Sequence, residues 1–411
     1  MTINKAAEIV AEGLAELDLK GNRVLLIIPD TTRTAPVGML VKTIHSTLKG
    51  IDAKLDIMVA LGTHPPLSPK AMLQHLEMTE DEYRMNYSDM RLFNHSWDNP
   101  SSLMSIGKLT SEFIEKATNG ILKEDVDITI NRMIKDYDHL LILGPVFPHE
   151  VAGFSGGSKY LFPGISGPEI IDFFHWLGAL ITNLKTNGQA DNPVRHVLDK
   201  AAKLVSVPVS AISLVVHNGE LAGIYIGSTK ESWQKAVELS AKLHIVLKPR
   251  PFKKVIACVP VMYDDLWTGG KGMYKCEPVV GDGGELILYA PHITSLSHTH
   301  GHLLEKIGYH VRDYYLADMN SFKDIPRAAM AISTYLRGDG TFENGIEKPR
   351  IQVTLATGIT PQMCNKVGLG YLDPDSLDIS QFREREDEST LLVERAGETL
   401  FLLESNQEAV T

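Results

Sequence analysis

Cysteine is scarce in this 411-residue sequence, which holds only Cys258, Cys276 and Cys364 and no CxxC pair. An odd, scattered set predicts neither a disulfide framework nor a thiolate metal site, and it favours a cytoplasmic location. The sequence also lacks any run of about 18 apolar residues, the length that a membrane-spanning helix needs. The first residues, MTINKAAEIVAEGLAELDLKGN, are polar and periodic, which is unlike a signal peptide.

Positive charge is in short supply as well. Forty Lys and Arg residues against 51 Asp and Glu residues give a formal net charge of −11. An acidic chain without a basic run is expected to have neither nucleic acid nor an anionic membrane surface as its main partner. The glycine-rich segments fit neither the Walker A spacing nor G-x-G-x-x-G, so neither nucleotide-binding motif is predicted.

Short apolar runs alternate with segments of helical periodicity. The predicted strands are RVLLII (23–28), LDIMVAL (55–61) and HLLILG (139–144). Helices are predicted over 4–19, from Pro36 to about 48, and over 168–184. Strands that alternate with helices indicate an α/β fold with mainly parallel sheets.

A second α/β domain is predicted after the two prolines of KPRP (248–251), which divide the chain into 1–249 and 250–411. Its predicted strands are 254–259, 285–290 and 351–357, and its predicted helices lie around 298–308 and 325–337. The charged segment that begins near residue 380 is expected to lead into a last helix, which packs on one of the two domains, the N-terminal one included.

Histidine is the abundant unusual residue, with 15 in the chain. His64, in GTHPP, and His149, in PHE, each follow a predicted strand, and so do Asp30, Arg33 and Lys159. Ligands of open parallel sheets bind beyond the carboxyl ends of the strands, so we expect these five residues around one interdomain cleft. Each imidazole can serve as a general acid or base, or can simply be hydrogen-bonded within its loop.

Three further features of this region have two interpretations each. Lys159 follows GFSGGS and is either a nucleophile or phosphate anchor, or a solvated lysine after a tight turn. His175, within FFHW, is either a core histidine or a single metal ligand, because no second ligand stands at helical spacing. Asp30 and Arg33, in DTTR, can bind ribose hydroxyls and an anion, or this segment can cap the next helix.

The second predicted domain carries two more candidate segments. In DDLWTGGKGMYK (264–275), Trp267 is a candidate aromatic platform and Lys271 follows two glycines. The run HTHGH places His298, His300 and His302 on one face if it is extended. That run can bind a metal, line a polar substrate pocket or form a surface loop.

An ordered set of motifs resembles the lactate racemase family, the nickel-pincer nucleotide-dependent 2-hydroxy acid racemases and epimerases. The motifs are DTTR (30–33), GTH (62–64), PHEVAGFSGGSK (148–159), PGISG (163–167) with His175 after it, and GGK (269–271). His149 precedes Lys159 by ten positions and Lys159 precedes His175 by sixteen, as in the family pattern. The motifs cover most of the chain.

The resemblance implies a cofactor and the residues that hold it. The cofactor is the nickel-pincer nucleotide, a pyridinium-3-thioamide-5-thiocarboxylic acid mononucleotide that carries nickel. Lys159 would bind it covalently through the thioamide, and His175 would be the protein ligand of the nickel. Cofactor-assembly enzymes would be partners. The nucleotide contacts would come from Asp30, Thr31, Thr32 and Arg33.

The resemblance also implies a substrate and a reaction. His64 and His149 would act as alternating base and acid in the inversion of C2 of a small 2-hydroxy acid. Lys271 and Arg33 would bind the substrate carboxylate. Trp267 and Thr268 stand where lactate racemases carry a Tyr-Gln pair. Trp267 keeps an aromatic face, and the shorter Thr268 leaves room for a larger or polyhydroxylated substrate.

Two other functions are alternatives to the racemase, and each leaves a feature of the sequence unexplained. A nicotinamide-dependent 2-hydroxy acid dehydrogenase would need a G-x-G-x-x-G loop after a strand, which the sequence lacks. A non-catalytic protein with two lobes that bind a hydroxy or sugar acid would explain a cleft, but it would not explain two histidines and a lysine at the family spacing.

Overall fold

The fold is described by a computed structural model over residues 1–386 and 388–405. The strands are β1 (Arg23–Ile28), β2 (Lys54–Val59), β3 (Leu92–Asn94), β4 (Leu103–Leu109), β5 (Val126–Asn131), β6 (His139–Pro145), β7 (Pro148–His149), β8 (Gly153–Phe154), β9 (Val209–His217), β10 (Glu220–Ser228), β11 (Ile245–Lys248), β12 (Phe252–Cys258), β13 (Val280–Ala290), β14 (Gly340–Glu343), β15 (Ile346–Pro349), β16 (Gln352–Thr357), β17 (Gly370–Tyr371), β18 (Thr390–Val393) and β19 (Leu400–Leu403). The helices are α1 (Ile3–Ala15), α2 (Val37–Lys49), α3 (Pro69–His75), α4 (Glu80–Asn86), α5 (Ser111–Ala117), α6 (Pro168–Ile181), α7 (Asn183–Thr186), α8 (Pro193–Ala202), α9 (Thr229–His244), α10 (Leu266–Gly269), α11 (Lys271–Cys276), α12 (Gly301–Ile307), α13 (Arg312–Ala317), α14 (Arg327–Arg337) and α15 (Pro361–Lys366).

The chain forms two compact units that are each discontinuous in sequence. Unit 1 comprises residues 1–147, 155–171 and 195–243. Unit 2 comprises residues 148–154, 172–194 and the described residues from 244 onward. The division at residue 249 and the cleft between domains stay predictions.

Unit 1 is built on a six-stranded sheet with the order β10-β9-β6-β1-β2-β3. Its strands are parallel except for β10, which pairs antiparallel with β9. Alternate residues of β1 point to opposite faces, and Val24, Leu26 and Ile28 pack in one core with residues of α1 and α2. Because β1 is buried on both faces, it reads as a continuous apolar run.

Unit 2 is built on a five-stranded, wholly parallel sheet with the order β17-β16-β13-β12-β18. Ile256, Ile287 and Ala356, on its three central strands, form a buried apolar cluster. The predicted α/β class with mainly parallel sheets is confirmed. None of the helices in the described residues is long and apolar enough to cross a membrane.

Three predicted elements differ from the structure, and the first is the helix predicted over 4–19, which ends at Ala15. The helix predicted over 168–184 ends at Ile181, because Thr182 has a φ of 85° and a β-branched residue in that region breaks the helix. The segment expected to form a last helix instead contains strands β18 and β19, and β19 pairs with β11 in parallel. Its alternation of buried and half-buried residues suits a strand.

Candidate active site

The carboxyl ends of neighbouring strands bring Asp30 and His64 together in unit 1. Strand β1 pairs in parallel with β2, Ile28 lying opposite Val59, so the loops that follow the two strands leave the same edge of the sheet. Asp30 lies two residues after β1 and His64 five residues after β2. The Nδ1 atom of His64 hydrogen-bonds to Oδ2 of Asp30.

The carboxylate of Asp30 is buried and ionised. Burial by itself would raise the pKa of this carboxyl. The neighbouring His64, followed by Arg33 and the Thr32 hydroxyl, outweighs the burial and holds the pKa far below its usual range. Thr32 donates its N–H and its hydroxyl to Oδ1 of Asp30, at 3.0 and 2.7 Å. The remaining oxygen, Oδ2, is therefore directed to His64.

This pairing decides which nitrogen of His64 carries the proton. An ionised carboxylate can only accept a hydrogen bond, so Nδ1 of His64 is the donor. In the neutral ring Nε2 is then left with a lone pair. The side chain of His64 is 23% exposed, so the site presents a base whose orientation is set by a carboxylate.

A different arrangement surrounds His149 in unit 2. Strands β7 and β8 form a small antiparallel hairpin, and His149 at its turn is 4% exposed. Its Nδ1 accepts hydrogen bonds from the backbone N–H groups of Val151, at 3.1 Å, and Ala152, at 3.5 Å. Oε2 of Glu150 lies 3.5 Å from the same nitrogen. The closer backbone donor favours the tautomer with the proton on Nε2, which suits a general acid.

The loop before Lys159 has a backbone that only glycine adopts readily. Gly156 and Gly157 have φ angles of 81° and 58°. A Cβ on Gly156 would lie 2.6 Å from a methyl group of Val146, and one on Gly157 would lie 3.1 Å from the indole of Trp233. Lys159 itself is half-buried in the 3₁₀ turn that follows.

Two buried side chains, Trp233 and Arg195, hydrogen-bond to the backbone of this loop. The indole N–H of Trp233 donates to the carbonyl of Ser155 at 2.7 Å. The guanidinium of Arg195 lies 4.2 Å from the centroid of the Trp233 ring and donates to the carbonyl of Gly156 at 3.3 Å. Burial lowers the pKa of Arg195 to about 10, so the group still carries its charge near neutral pH.

The other residues of the DTTR segment differ in exposure and in their contacts. Thr31 is exposed, and Thr32 is committed to Asp30 as described. The guanidinium carbon of Arg33 lies 5.2 Å from the centroid of the buried Phe147 ring. Helix α2 begins without a side-chain cap, so the capping interpretation of this segment is wrong.

His175 lies in α6 within unit 2. It is half-buried, and its ring meets that of Phe174 edge to face at 5.0 Å between centroids. Its backbone carbonyl accepts a hydrogen bond from the hydroxyl of Tyr335 at 3.1 Å. Over residues 1–386 and 388–405, no three His, Cys, Asp or Glu side chains are grouped so that they could hold a metal ion.

The segment of Trp267 and Lys271 forms two successive helical turns, α10 and α11. Trp267 lies in α10 and Lys271 begins α11, with Gly270 between the two turns. The ammonium of Lys271, 6% exposed, lies 4.6 Å from the centroid of the Tyr263 ring. The hydroxyl of Thr268 donates to Oδ1 of Asp265 at 2.8 Å, which leaves only its lone pairs for a substrate.

The three histidines of HTHGH do not share a face. His298 is exposed and pairs with Asp264 at 3.4 Å. His300 is buried against Trp267, with ring centroids 4.8 Å apart. His302 is exposed. The interpretation of this run as a metal site is therefore wrong for the described residues.

Several residues that shape the site were not predicted. Asp265 caps α10 through the N–H of Thr268, and the Asp-x-x-Thr pattern before a helical turn could have revealed it. Arg195 and Trp233 contact a loop 39 and 78 positions away, so no local pattern signals them. The same holds for Lys275, which is 1% exposed and donates to the carbonyl of Pro148 beside His149.

Residues 2–187 match the sequence profile of the lactate racemase N-terminal domain. This profile covers less than half of the chain, and two curated lactate racemases resemble a larger part of it. The lactate racemase of Lactiplantibacillus plantarum is 23% identical over 309 residues, which are 70% of this chain and 65% of that relative. The lactate racemase of Thermoanaerobacterium thermosaccharolyticum is 24% identical over 276 residues, which are 65% of this chain and 59% of that relative. The chain thus spans less than two thirds of the length of these curated lactate racemases.

Two solved structures resemble the whole chain. A crystal structure of a Thermotoga maritima protein has a TM-score of 0.90 and 30% identity, and the match covers 98% of this chain and 99% of that one. The lactate racemase apoprotein of Thermoanaerobacterium thermosaccharolyticum has a TM-score of 0.70 and 18% identity, with 96% and 92% covered. At that identity the second likeness is one of fold.

Proposed function

We propose that this chain is a member of the lactate racemase family, a racemase or epimerase that inverts C2 of a 2-hydroxy acid. The observation that carries the proposal is the pairing of His64 with the buried, ionised Asp30. A base oriented by a carboxylate is what removal of a hydroxyl proton requires. The DTTR and GTH motifs that form the pair both lie within the matched family domain.

The two histidines have complementary roles in the proposed reaction. Nε2 of His64 takes the proton of the C2 hydroxyl, and the charge that results is stabilised by Asp30. Nε2 of His149 gives a proton to the same C2 oxygen, on the other face, when the hydroxyl is re-formed. Two proton carriers are needed because the two stereoisomers direct their hydroxyls to different sides.

Two cations are proposed to bind the substrate carboxylate. The guanidinium of Arg33 lies over Phe147, and the ammonium of Lys271 lies over Tyr263, so an aromatic ring restricts each charge. A carboxylate that is held in place keeps C2 and its hydroxyl near the two imidazoles. Trp267 and Thr268 are proposed to contact the rest of the substrate.

The residues of the chain fit the cofactor that the family resemblance implies. Lys159 follows a turn whose two positive-φ glycines pack against Val146 and Trp233, so the position of the lysine is fixed by the buried structure behind it. His175 offers a single imidazole, the one protein ligand that a pincer with three donor atoms of its own would require. Thr31, Thr32, Arg33 and the uncommitted lone pairs of Asp30 would contact the nucleotide. When bound, the nickel-pincer nucleotide would supply reversible hydride transfer at C2, so that the 2-hydroxy acid is re-formed.

The proposal is tested with protein made with and without the cofactor-assembly enzymes, which are its proposed partners in the cytoplasm. Intact-mass measurement should show an adduct on the co-produced wild type that is lost in Lys159→Ala and kept in the matched control Lys185→Ala, an exposed lysine. An adduct that persists in Lys159→Ala would contradict the assignment of Lys159.

Chiral analysis of 2-hydroxy acids then tests the chemistry. His64→Ala and His149→Ala should each lower the rate of inversion by about 10²–10⁴-fold, the usual contribution of a general acid or base. The exposed His302→Ala serves as the control and should not change the rate. In heavy water the product should keep protium at C2, because a hydride does not exchange with solvent. Deuterium at C2, or full activity without either histidine, would refute the mechanism.

A further inference from the structure

Two consecutive polar residues, Asn94 and His95, stand at the carboxyl end of β3 and contact two different loops of unit 1. Strand β3 pairs in parallel with β2, so its carboxyl end lies where the loops after β1 and β2 begin. Asn94 is half-buried and His95 is 2% exposed. The backbone N–H of His95 donates to the carbonyl of Val59, the last residue of β2, at 3.2 Å. The main chain of this segment is therefore fixed to the sheet.

The side chain of Asn94 holds the loop that carries His64. Its Oδ1 accepts the backbone N–H of Leu67 at 3.1 Å, and its Nδ2 donates to the carbonyl of Leu67 at 2.8 Å. One amide group thus satisfies both main-chain polar groups of a single loop residue. Leu67 lies three residues after His64, so this pair restricts the loop close to the imidazole.

The ring of His95 uses both of its nitrogens. Nδ2 of Asn131 lies 3.1 Å from Nδ1 of His95, and the carbonyl of Ser166 lies 2.9 Å from Nε2. The amide of Asn131 is oriented by its Oδ1, which accepts the N–H of Met133 at 3.1 Å, so the NH₂ group donates to the imidazole. The proton of the neutral ring therefore lies on Nε2 and is donated to Ser166. Burial lowers the pKa of His95 to about 4, which keeps this neutral form near neutral pH.

The loop held by His95 is PGISG (163–167), which joins the turn of Lys159 to the GTH motif. The N–H of Gly164 donates to the carbonyl of Lys159 at 3.2 Å. The carbonyl of Gly164 accepts the N–H of Gly62, the first residue of GTH, at 3.0 Å. A shift of this loop would therefore be transmitted both to the turn of the lysine and to the motif that carries the proposed base.

We propose that Asn94 and His95 are positioning residues that together fix the separation of His64 and Lys159. The inference rests on the proposed racemase function, in which the base and the group held by Lys159 must face the same substrate carbon. A displacement of about 1 Å at a reacting group can lower a rate about 10²-fold. Asn94 acts through the loop of His64, and His95 acts through the PGISG loop.

Three substitutions separate the hydrogen bonds from the presence of a polar side chain. Asn94→Ala removes both bonds to Leu67. His95→Asn keeps an acceptor for Asn131 but is too short to reach Ser166. His95→Gln places an amide N–H close to the position of Nε2 and should keep the bond to Ser166.

Two substitutions elsewhere in unit 1 serve as matched controls. His45→Asn changes another buried histidine, 6% exposed, which pairs with the surface carboxylate of Asp89. Asn99→Ala removes a different bond from an asparagine side chain to the backbone, because Oδ1 of Asn99 accepts the N–H of Ser101. Neither bond reaches the two loops of the proposed site.

Lactate, phenyllactate and gluconate are assayed on the cofactor-loaded enzyme, below the denaturation midpoint of every variant. For the acid that wild type inverts fastest, kcat should fall about 10–100-fold in Asn94→Ala and in His95→Asn. KM should change less than kcat, because the cations proposed to bind the carboxylate are kept. His95→Gln should recover most of the loss, and both controls should behave like wild type.

A kcat within about threefold of wild type in Asn94→Ala or in folded His95→Asn would overturn the proposal. So would a loss that lies in KM, or equal losses in His95→Gln and His95→Asn. If His95→Asn does not fold, Asn94→Ala, at a half-buried position, decides the result.

Amide hydrogen exchange of the apoprotein separates this inference from the proposed function. The N–H of Gly62 bonds to the PGISG loop and not to His95, so it reports whether the two loops are coupled. It should exchange about 5–10-fold faster in His95→Asn, and at the wild-type rate in His95→Gln and His45→Asn. The N–H of Leu67 should exchange faster in Asn94→Ala.

If wild type inverts none of the three acids, the racemase function fails and the exchange rates decide the positioning role. Faster exchange of the Gly62 N–H in His95→Asn, restored in His95→Gln, would support it. Unchanged exchange of Gly62 in folded His95→Asn, or unchanged exchange of Leu67 in Asn94→Ala, would overturn it.

Discussion

Replacing Asp30 by asparagine should reverse the hydrogen-bond polarity of the pair that orients His64. Thr32 donates both its N–H and its hydroxyl to Oδ1 of Asp30. In D30N the amide oxygen therefore stays toward Thr32, and the amide NH₂ group is directed at Nδ1 of His64. That nitrogen must now accept, so the proton moves to Nε2 and the lone pair of the base is lost.

The expected fall in kcat follows from the loss of His64 as a general base. A general base contributes about 10²–10⁴-fold to rate, and an incorrect tautomer removes that contribution while the fold is kept. We therefore expect kcat for C2 inversion to fall by about 10²–10⁴-fold in D30N. The pKa of Asp30 lies far below its usual range, so the wild-type carboxylate stays charged at every pH at which the assay is run.

A second pair of the same kind provides the control. Nε2 of His45 lies 3.1 Å from Oδ1 of Asp89, whose side chain is 57% exposed. D89N makes the same chemical change in a surface pair, where ion pairs contribute about 0–1 kcal/mol, and it should leave kcat unchanged. Chiral analysis gives the rates, and ¹⁵N imidazole spectra of the apoprotein report the tautomer of His64. Loss of less than threefold in D30N, or an Nδ1-protonated ring in that variant, would refute the reasoning.

Three further predictions concern stability. Gly156→Ala should destabilise the protein by about 1–3 kcal/mol more than Gly120→Ala. Both glycines have a φ of 81°, but only at Gly156 would an added Cβ meet a neighbouring side chain. Equal denaturation midpoints for the two variants would contradict the expected clash. Trp233→Ala should cost about 3–5 kcal/mol and Trp233→Phe much less, measured by chemical denaturation, because only the first variant empties the space behind the loop. Burial lowers the pKa of His95 to about 4, so its neutral form is favoured in the folded state, and stability present above pH 6.5 should be lost as the pH falls toward 4. The loss should reach about 3 kcal/mol and be absent from H95N; parallel unfolding curves for H95N and wild type over this range would disprove it.

Local pattern was sufficient for the central strands and for the class of the fold. A strand buried on both faces has to be continuously apolar, and RVLLII and HLLILG show this directly. The end of α6 could not be read from pattern, because Ile181 and Leu184 continue the apolar periodicity while the backbone of Thr182 has already left the helix. Strand β19 pairs with β11, and the paired residues Ile245 and Leu400 are 155 positions apart in the sequence.

The candidate site likewise combines features that local sequence pattern predicts with features that depend on the tertiary structure. The sequence by itself determined that Asp30, His64, His149 and Lys159 follow strands, since each stands in a Gly- or Pro-rich loop after an apolar run. Only the tertiary structure decided that β1 and β2 are neighbours, and with this pairing Asp30 meets His64.

The histidines were the abundant residue of this sequence, but their count could not assign their roles. Tautomer and contact are set by groups distant in sequence or by a local turn: a carboxylate for His64, backbone amides for His149, and an indole for His300. The physical reason is that an imidazole has two nitrogens that respond to whatever surrounds them. Composition determined that these rings are present, and packing decided what each ring can do.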